Sequence, residues 1–94
     1  MITSFADSET KQVFETGSTR KWKAIAAVAK RKLDMVHAAT KLSDLKAPPA
    51  NRLEALTKEK KWMGFHSIRI NEQYRVVFRW LDGDASSVQI VDYH

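Results

Sequence analysis

No cysteine occurs in the 94 residues, which excludes disulfides and thiolate chemistry and fits a reducing compartment. No apolar run approaches the ~20 residues that a membrane span requires. Met1-Ile2-Thr3-Ser4-Phe5 offers neither a basic n-region nor an apolar h-region, so no secretion signal is read and a cytoplasmic setting is expected. The three histidines, His37, His66 and His94, show no metal-ligand spacing, and no metal or other cofactor is called for. Acidic residues are the minority: eleven Asp and Glu against sixteen Lys and Arg leave a net charge of +5. An excess of that size on a small domain points to a polyanionic partner, nucleic acid or an acidic protein. With 44% hydrophobic and 29% charged residues, the composition is that of a soluble globular chain. Its length suits one domain over residues 1–94 with one modest core, hence one site.

The chain reads as an α+β fold. Ile2–Phe5 is a short β-like start, and Asp7-Ser8 supplies an N-cap signal for a helix that runs through Val13 and Phe14 to a stop at Gly17. A second helix is expected from a cap at Ser18 or Thr19. Its apolar residues Trp22, Ile25, Ala26, Ala29, Leu33, Val36 and Ala39 or Thr40 recur at i, i+3, i+4 and i+7, while Lys23, Lys30, Asp34 and Lys41 take the other face. Thr40–Leu45 can add another turn before Ala47-Pro48-Pro49-Ala50 stops any regular element. The stretch Thr57–Gly64 mixes Lys58, Lys60 and Lys61 with Trp62. It reads equally as a grip on single-stranded nucleic acid and as a solvated loop whose tryptophan folds back on the core.

Phe65–His94 holds three β-like runs separated by Asn71-Glu72-Gln73 and Asp82-Gly83-Asp84, the pattern of an antiparallel meander. Hydrophobic matching chooses a three-residue loop at both turns. At the first it sets Ile70 opposite Tyr74, Ile68 opposite Val76 and His66 opposite Phe78. At the second it sets Phe78 opposite Val88 and Val76 opposite Ile90. One face, Ile68, Ile70, Tyr74, Val76, Phe78, Trp80, Val88 and Ile90, then awaits cover by the long helix. The other, with Ser67, Arg69, Arg75, Val77, Arg79, Gln89, Val91 and Tyr93, is cationic and expected to lie uncovered. The same register brings Asp92-Tyr93-His94 beside Tyr74 and Arg75, and Arg69 opposite Arg75.

An arginine beside a carboxylate, a tyrosine and a histidine suits RNA cleavage by 2′-hydroxyl attack on the adjacent phosphorus. That reaction needs a base, an acid and positive charge on the phosphate. His94 can serve as acid or base, Arg75 as the fork that holds the phosphate, Asp92 as the orienting carboxylate, and Tyr93 as a stacking or proton-transfer group. His37 and His66 read as packing residues, and Trp22 and Trp80 as core anchors.

Three blocks carry a family resemblance: Arg52-Leu53-Glu54-Ala55-Leu56, then His66–Phe78 with Ser-Ile-Arg-Ile-Asn and Tyr-Arg, and the closing Val91-Asp92-Tyr93-His94. Together they resemble the HigB branch (plasmid-maintenance killer proteins) of the RelE/ParE toxin superfamily, over essentially the whole chain. The resemblance implies an N-terminal strand, a two-helix hairpin and a three-strand meander packed on the helices. It also implies a ribosome-dependent endonuclease cutting mRNA, silenced by a HigA-like helix-turn-helix antitoxin through which alone the toxin meets operator DNA. Carried over by position, Arg75 is the phosphate-stabilising arginine, and Asp92, Tyr93 and His94 are the C-terminal functional residues. Glu54 stands where some members have a histidine, so either Glu54 is the base or His94 does more of the work. Lys58, Lys60, Lys61 and Arg69 are the expected RNA contacts. Two other functions fit the superfamily: a non-catalytic gyrase-binding toxin of the ParE sort, and an inactive co-repressor partner of the antitoxin.

Overall fold

A computed structural model describes residues 1–93. Helix α1 (Ser8–Thr16) begins where Asp7 accepts the Thr10 N–H at 2.6 Å, and ends at Gly17, whose φ of 78° only glycine adopts without cost. Helix α2 (Ala26–Ala38) follows, then short 3-10 turns at Leu42–Lys46 and Pro49–Asn51. Four strands complete the chain: β1 (Glu54–Leu56), β2 (Phe65–Arg69), β3 (Tyr74–Leu81) and β4 (Asp84–Asp92), antiparallel in the order β1-β2-β3-β4. The expected three-strand meander is therefore a four-strand sheet.

The long helix is shorter than its periodicity implied. Residues 21–25 form turns, and α2 starts at Ala26 with Ile25 as an N-cap that lends no side chain. Neither Ser18 nor Thr19 caps it. With the chain unwound there, Trp22 packs edge-on against Tyr74, ring centroids 5.3 Å apart, and aromatic packing prevails over helical propensity. The inward stripe is otherwise as expected: Ala29, Leu33, Val36 and Ala39 are buried against Val13, Ile68, Val76, Phe78, Val88 and Ile90, and Ala26 is buried as well. His37 also packs structurally, its ring tilted against Phe14 with centroids 5.1 Å apart while its Nδ1 accepts the Ile2 N–H.

The first hairpin matches the expected register, with Ile68 opposite Val76, His66 opposite Phe78 and Arg69 opposite Arg75. The second reaches the expected register by another route. Leu81 pairs with Asp84 across the two-residue loop Asp82-Gly83, both at positive φ, so the loop is one residue shorter than hydrophobic matching suggested. An extra residue on β4 then restores the count: between Ser86 and Gln89 it has two residues where β3 has only Phe78 between Arg79 and Val77, and Val76 faces Ile90. Phe78 consequently has no direct partner. Ser87, at φ 50°, takes the bulge.

That bulge also shapes the N-terminus. The expected N-terminal strand is present only as two isolated parallel bridges, Ile2 with Ala85 and Phe5 with Val88. Between them the Ser87 N–H turns to the Ser4 side chain at 2.9 Å instead of a backbone carbonyl. The segment still covers the outer edge of β4. A second tie is the buried hydroxyl of Thr10, which accepts the Ile90 N–H at 3.1 Å and fastens α1 to β4. Replacing Thr10 by valine keeps the shape but strands that N–H. The variant is expected to lose about 1–3 kcal/mol in chemical denaturation.

Candidate active site

The face of the sheet turned away from the helices is only partly bare. Leu56, Phe65 and Val77 form a small second core there, joined by Trp62, Val91 and Tyr93. The loop carrying Trp62 folds over this half of the face. Its indole meets Phe65 edge-on at 5.3 Å, and the Arg79 guanidinium lies over the Phe65 ring at 4.6 Å. The expectation of an uncovered cationic face is thus corrected: apolar Val77 and Phe65 require cover, and Trp62 provides it. The tryptophan belongs to the core; its neighbouring lysines remain in solvent.

Beyond this cover lies Arg75, near the start of β3. Its side chain is only 12% exposed, and three strands position it. Nη1 is 2.9 Å from Glu54 Oε1 on β1 and donates to the buried Ser67 Oγ on β2 at 2.6 Å, with the Arg52 carbonyl at 3.5 Å. The guanidinium carbon stands 5.3 Å from the ring centre of Tyr93, just past β4. Cation, carboxylate and phenol ring thus share one end of the sheet. The charge-assisted bonds hold the guanidinium in one orientation before any ligand arrives. Glu54 itself is about half exposed at 46%, so its carboxylate is open to a ligand.

Tyr93 takes its place through the sheet ladder, its N–H donating to the Gln73 carbonyl at 2.7 Å. Asp92 pairs across from Tyr74 and therefore points to the opposite face from Arg75. There Gln73 Nε2 donates to its carboxylate at 3.1 Å. His94 lies outside the described residues. A groove of about 750 Å³ runs along this end of the molecule, and Glu54, Lys58, Lys61, Asp92 and Tyr93 line it. Lys60, though exposed, is not among the residues lining it. Arg69 faces another, smaller cavity and makes a 3.8 Å contact with the well-exposed Glu72.

Sequence reasoning placed Arg75 and Tyr93 together through the register. It missed Ser67 as a partner of Arg75, although strand alternation had already put it on the same face. It also missed the Arg52 carbonyl, whose position depends on a left-handed backbone at φ 46°. Among the described residues no cluster of His, Asp or Glu has the makings of a metal site.

One histidine beside the site does titrate unusually. Burial opposite Phe78 holds His66 below its ordinary value of 6.5. Since the folded state favours neutral His66, its stability share is whole above pH 6.5 and declines as pH falls through the lowered folded value. Thermal unfolding at pH 7.5 and 5 is expected to show this loss, and His66→Phe should shrink it.

Two helices against one face of a four-strand antiparallel sheet, with an arginine-centred polar site at one sheet end, define an α+β fold. The solved structure of YafQ from Escherichia coli BL21(DE3) shares this fold, with a TM-score of 0.65 over 98% of this chain and 93% of that one, at 10% identity. Sequence comparison goes further. The family model described as RelE-like toxin of type II toxin-antitoxin system HigB matches residues 3–94. Toxin HigB-1 of Vibrio cholerae serotype O1 is 39% identical over 87 residues, covering 90% of each protein. An uncharacterized protein of Haemophilus influenzae is 40% identical over 63 residues, 67% of this chain and 60% of that protein. The chain belongs to the HigB-like, RelE-type toxins of type II toxin–antitoxin systems. Membership of that class implies a cognate antitoxin as partner. None of the described helices is long and apolar enough to cross a membrane.

Proposed function

We propose that this toxin is a metal-independent endoribonuclease that cuts mRNA on the ribosome, held in check by a HigA-like helix-turn-helix antitoxin. The observation that carries this reading is the Arg75 constellation: a pre-oriented guanidinium with a half-exposed carboxylate 2.9 Å away, at the mouth of a groove bearing Lys58 and Lys61. In the proposed reaction the ribose 2′-oxygen attacks the adjacent phosphorus and the bond to the 5′-oxygen breaks. The 2′-hydroxyl proton passes to Glu54, and the leaving 5′-oxygen takes a proton from His94. The products are a 2′,3′-cyclic phosphate and a free 5′-hydroxyl. Arg75 stabilises the charge that gathers on the non-bridging oxygens. Tyr93 presents a ring on which a neighbouring base can stack. Lys58 and Lys61 neutralise backbone phosphates of mRNA or ribosomal RNA, and Asp92 with Gln73 fixes the C-terminal end of β4 that carries Tyr93.

The test is induction of the toxin without its antitoxin, followed by mapping of mRNA 5′ ends. New in-frame cuts within translated messages are expected. DNA damage without such cuts would instead favour gyrase binding. Growth unaffected by a folded, antitoxin-binding protein would indicate a co-repressor.

A further inference from the structure

Behind Arg75 the chain builds a second cationic centre that the cleavage chemistry does not use. A cavity of about 430 Å³ is lined by Arg31 and Lys32 of α2, Arg52 after the Pro49–Asn51 turn, and Arg69 of β2, with Val28, Ala50 and Ile70 as its apolar walls. Four of the seven lining residues are cationic and none is acidic. Lys32 is the unusual member, 7% exposed. Its Nζ donates to Asn51 Oδ1 at 2.5 Å, a neutral acceptor on a fully buried side chain. Asn51 is held in turn by its own amide, which donates to the Leu45 and Ala47 carbonyls at 3.2 and 3.3 Å. A buried ammonium whose one acceptor among the described residues is an amide oxygen is poorly compensated. Burial, and next to it the charge of Arg31, lowers the affinity of Lys32 for its proton. Glu72 reaches Arg69 from outside the cavity, but at 95% exposure it is easily displaced.

We propose that this cavity seats a backbone phosphate of the RNA strand whose scissile phosphate lies at Arg75. The proposal rests on the endoribonuclease reading above. What favours RNA over an acidic protein segment is continuity between the two cationic centres. The Arg52 carbonyl accepts from Arg75 Nη1, and Arg69 pairs directly across from Arg75. Two of the cavity's four cations are therefore immediate neighbours of the phosphate-holding arginine. A strand with a phosphate at every nucleotide can occupy both centres at once. The fork of Arg69 or Arg31 suits the phosphate oxygens, and the anion supplies the countercharge that Lys32 lacks.

The experiment uses a 2′-O-methyl RNA oligonucleotide, which cannot undergo 2′-hydroxyl attack. Its binding to the purified toxin is followed by fluorescence anisotropy over a range of salt concentrations. Each phosphate contact on single-stranded RNA contributes about 0.7 to the slope of log K against log salt. Arg31→Gln and Arg69→Gln are expected to lower that slope, each by up to about 0.7 where it holds its own phosphate and less where both share one. Arg31 is exposed, so its variant should fold and keeps the test valid even if a Lys32→Met variant does not. Unchanged slopes and affinities in both arginine variants overturn the phosphate seat while the Arg75 reading stands. No RNA binding by the wild type, with mRNA cuts still made in induced cells, does the same. Absence of both binding and cuts overturns the two readings together. Should an Asp/Glu-rich peptide bind through Arg31 and Arg69 while RNA ignores them, the cavity is a protein-docking site and the RNA assignment is wrong.

Discussion

Replacing Arg75 by alanine is expected to abolish growth arrest and to reduce mRNA cleavage in a purified translation reaction by at least 10²–10³-fold, the usual cost of one pre-oriented electrostatic donor. The size of the effect follows from how the side chain is held. At 12% exposure and with bonds to Glu54 and Ser67, the guanidinium needs no rearrangement when charge develops on the phosphate. Arg75→Lys is expected to rescue little, since an ammonium lacks the planar fork that reaches Glu54, Ser67 and two phosphate oxygens together. The fold should survive. Glu54 is half exposed and regains water, while Ser67 Oγ loses a partner at a cost on the order of 1–3 kcal/mol. Unchanged circular dichroism and retained antitoxin binding would separate loss of chemistry from loss of structure. A folded Arg75→Ala protein that cleaves at the wild-type rate would remove Arg75 from the mechanism.

What could be read beforehand, and what could not, divides along physical lines. The β2–β3 register was legible because Ile68 and Val76 must share a face, and a one-residue slip would bury Arg75 in their place. That register delivered the contact of Arg75 with Tyr93. Strand β1 was not legible: of Glu54, Ala55 and Leu56 only Leu56 is buried, so no alternation marks the segment, and pairing with β2 alone makes it a strand. The position of Glu54 depended on that pairing and was lost with it. Nothing in Ser86-Ser87-Val88 announces the bulge, because a serine at positive φ has no sequence signature comparable to Asp82-Gly83. Trp62 stood between two readings until its packing was seen. Phe65 and Val77 on the far face offered it an apolar seat, where it is half-buried while still lining the groove.

Glu54 carries the second large expected effect, and its two roles separate by substitution. Glutamine at position 54 keeps the length and an oxygen that can accept from Arg75 Nη1, but it cannot take the 2′-hydroxyl proton. If Glu54 is the general base, Glu54→Gln should lose 10²–10⁴-fold in single-turnover cleavage with little change in binding of an uncleavable 2′-O-methyl RNA. Were Glu54 only a brace for Arg75, glutamine would preserve most of the rate and alanine would not. The structure bears on the outcome through exposure: a carboxylate kept only to orient a buried arginine is better placed out of water, where the pair is stronger. Here Arg75 is nearly enclosed and Glu54 is 46% exposed, so its open oxygens face the groove in which the ribose would lie. A Glu54→Gln variant with full cleavage would transfer the base role to His94 or to a group supplied by the ribosome.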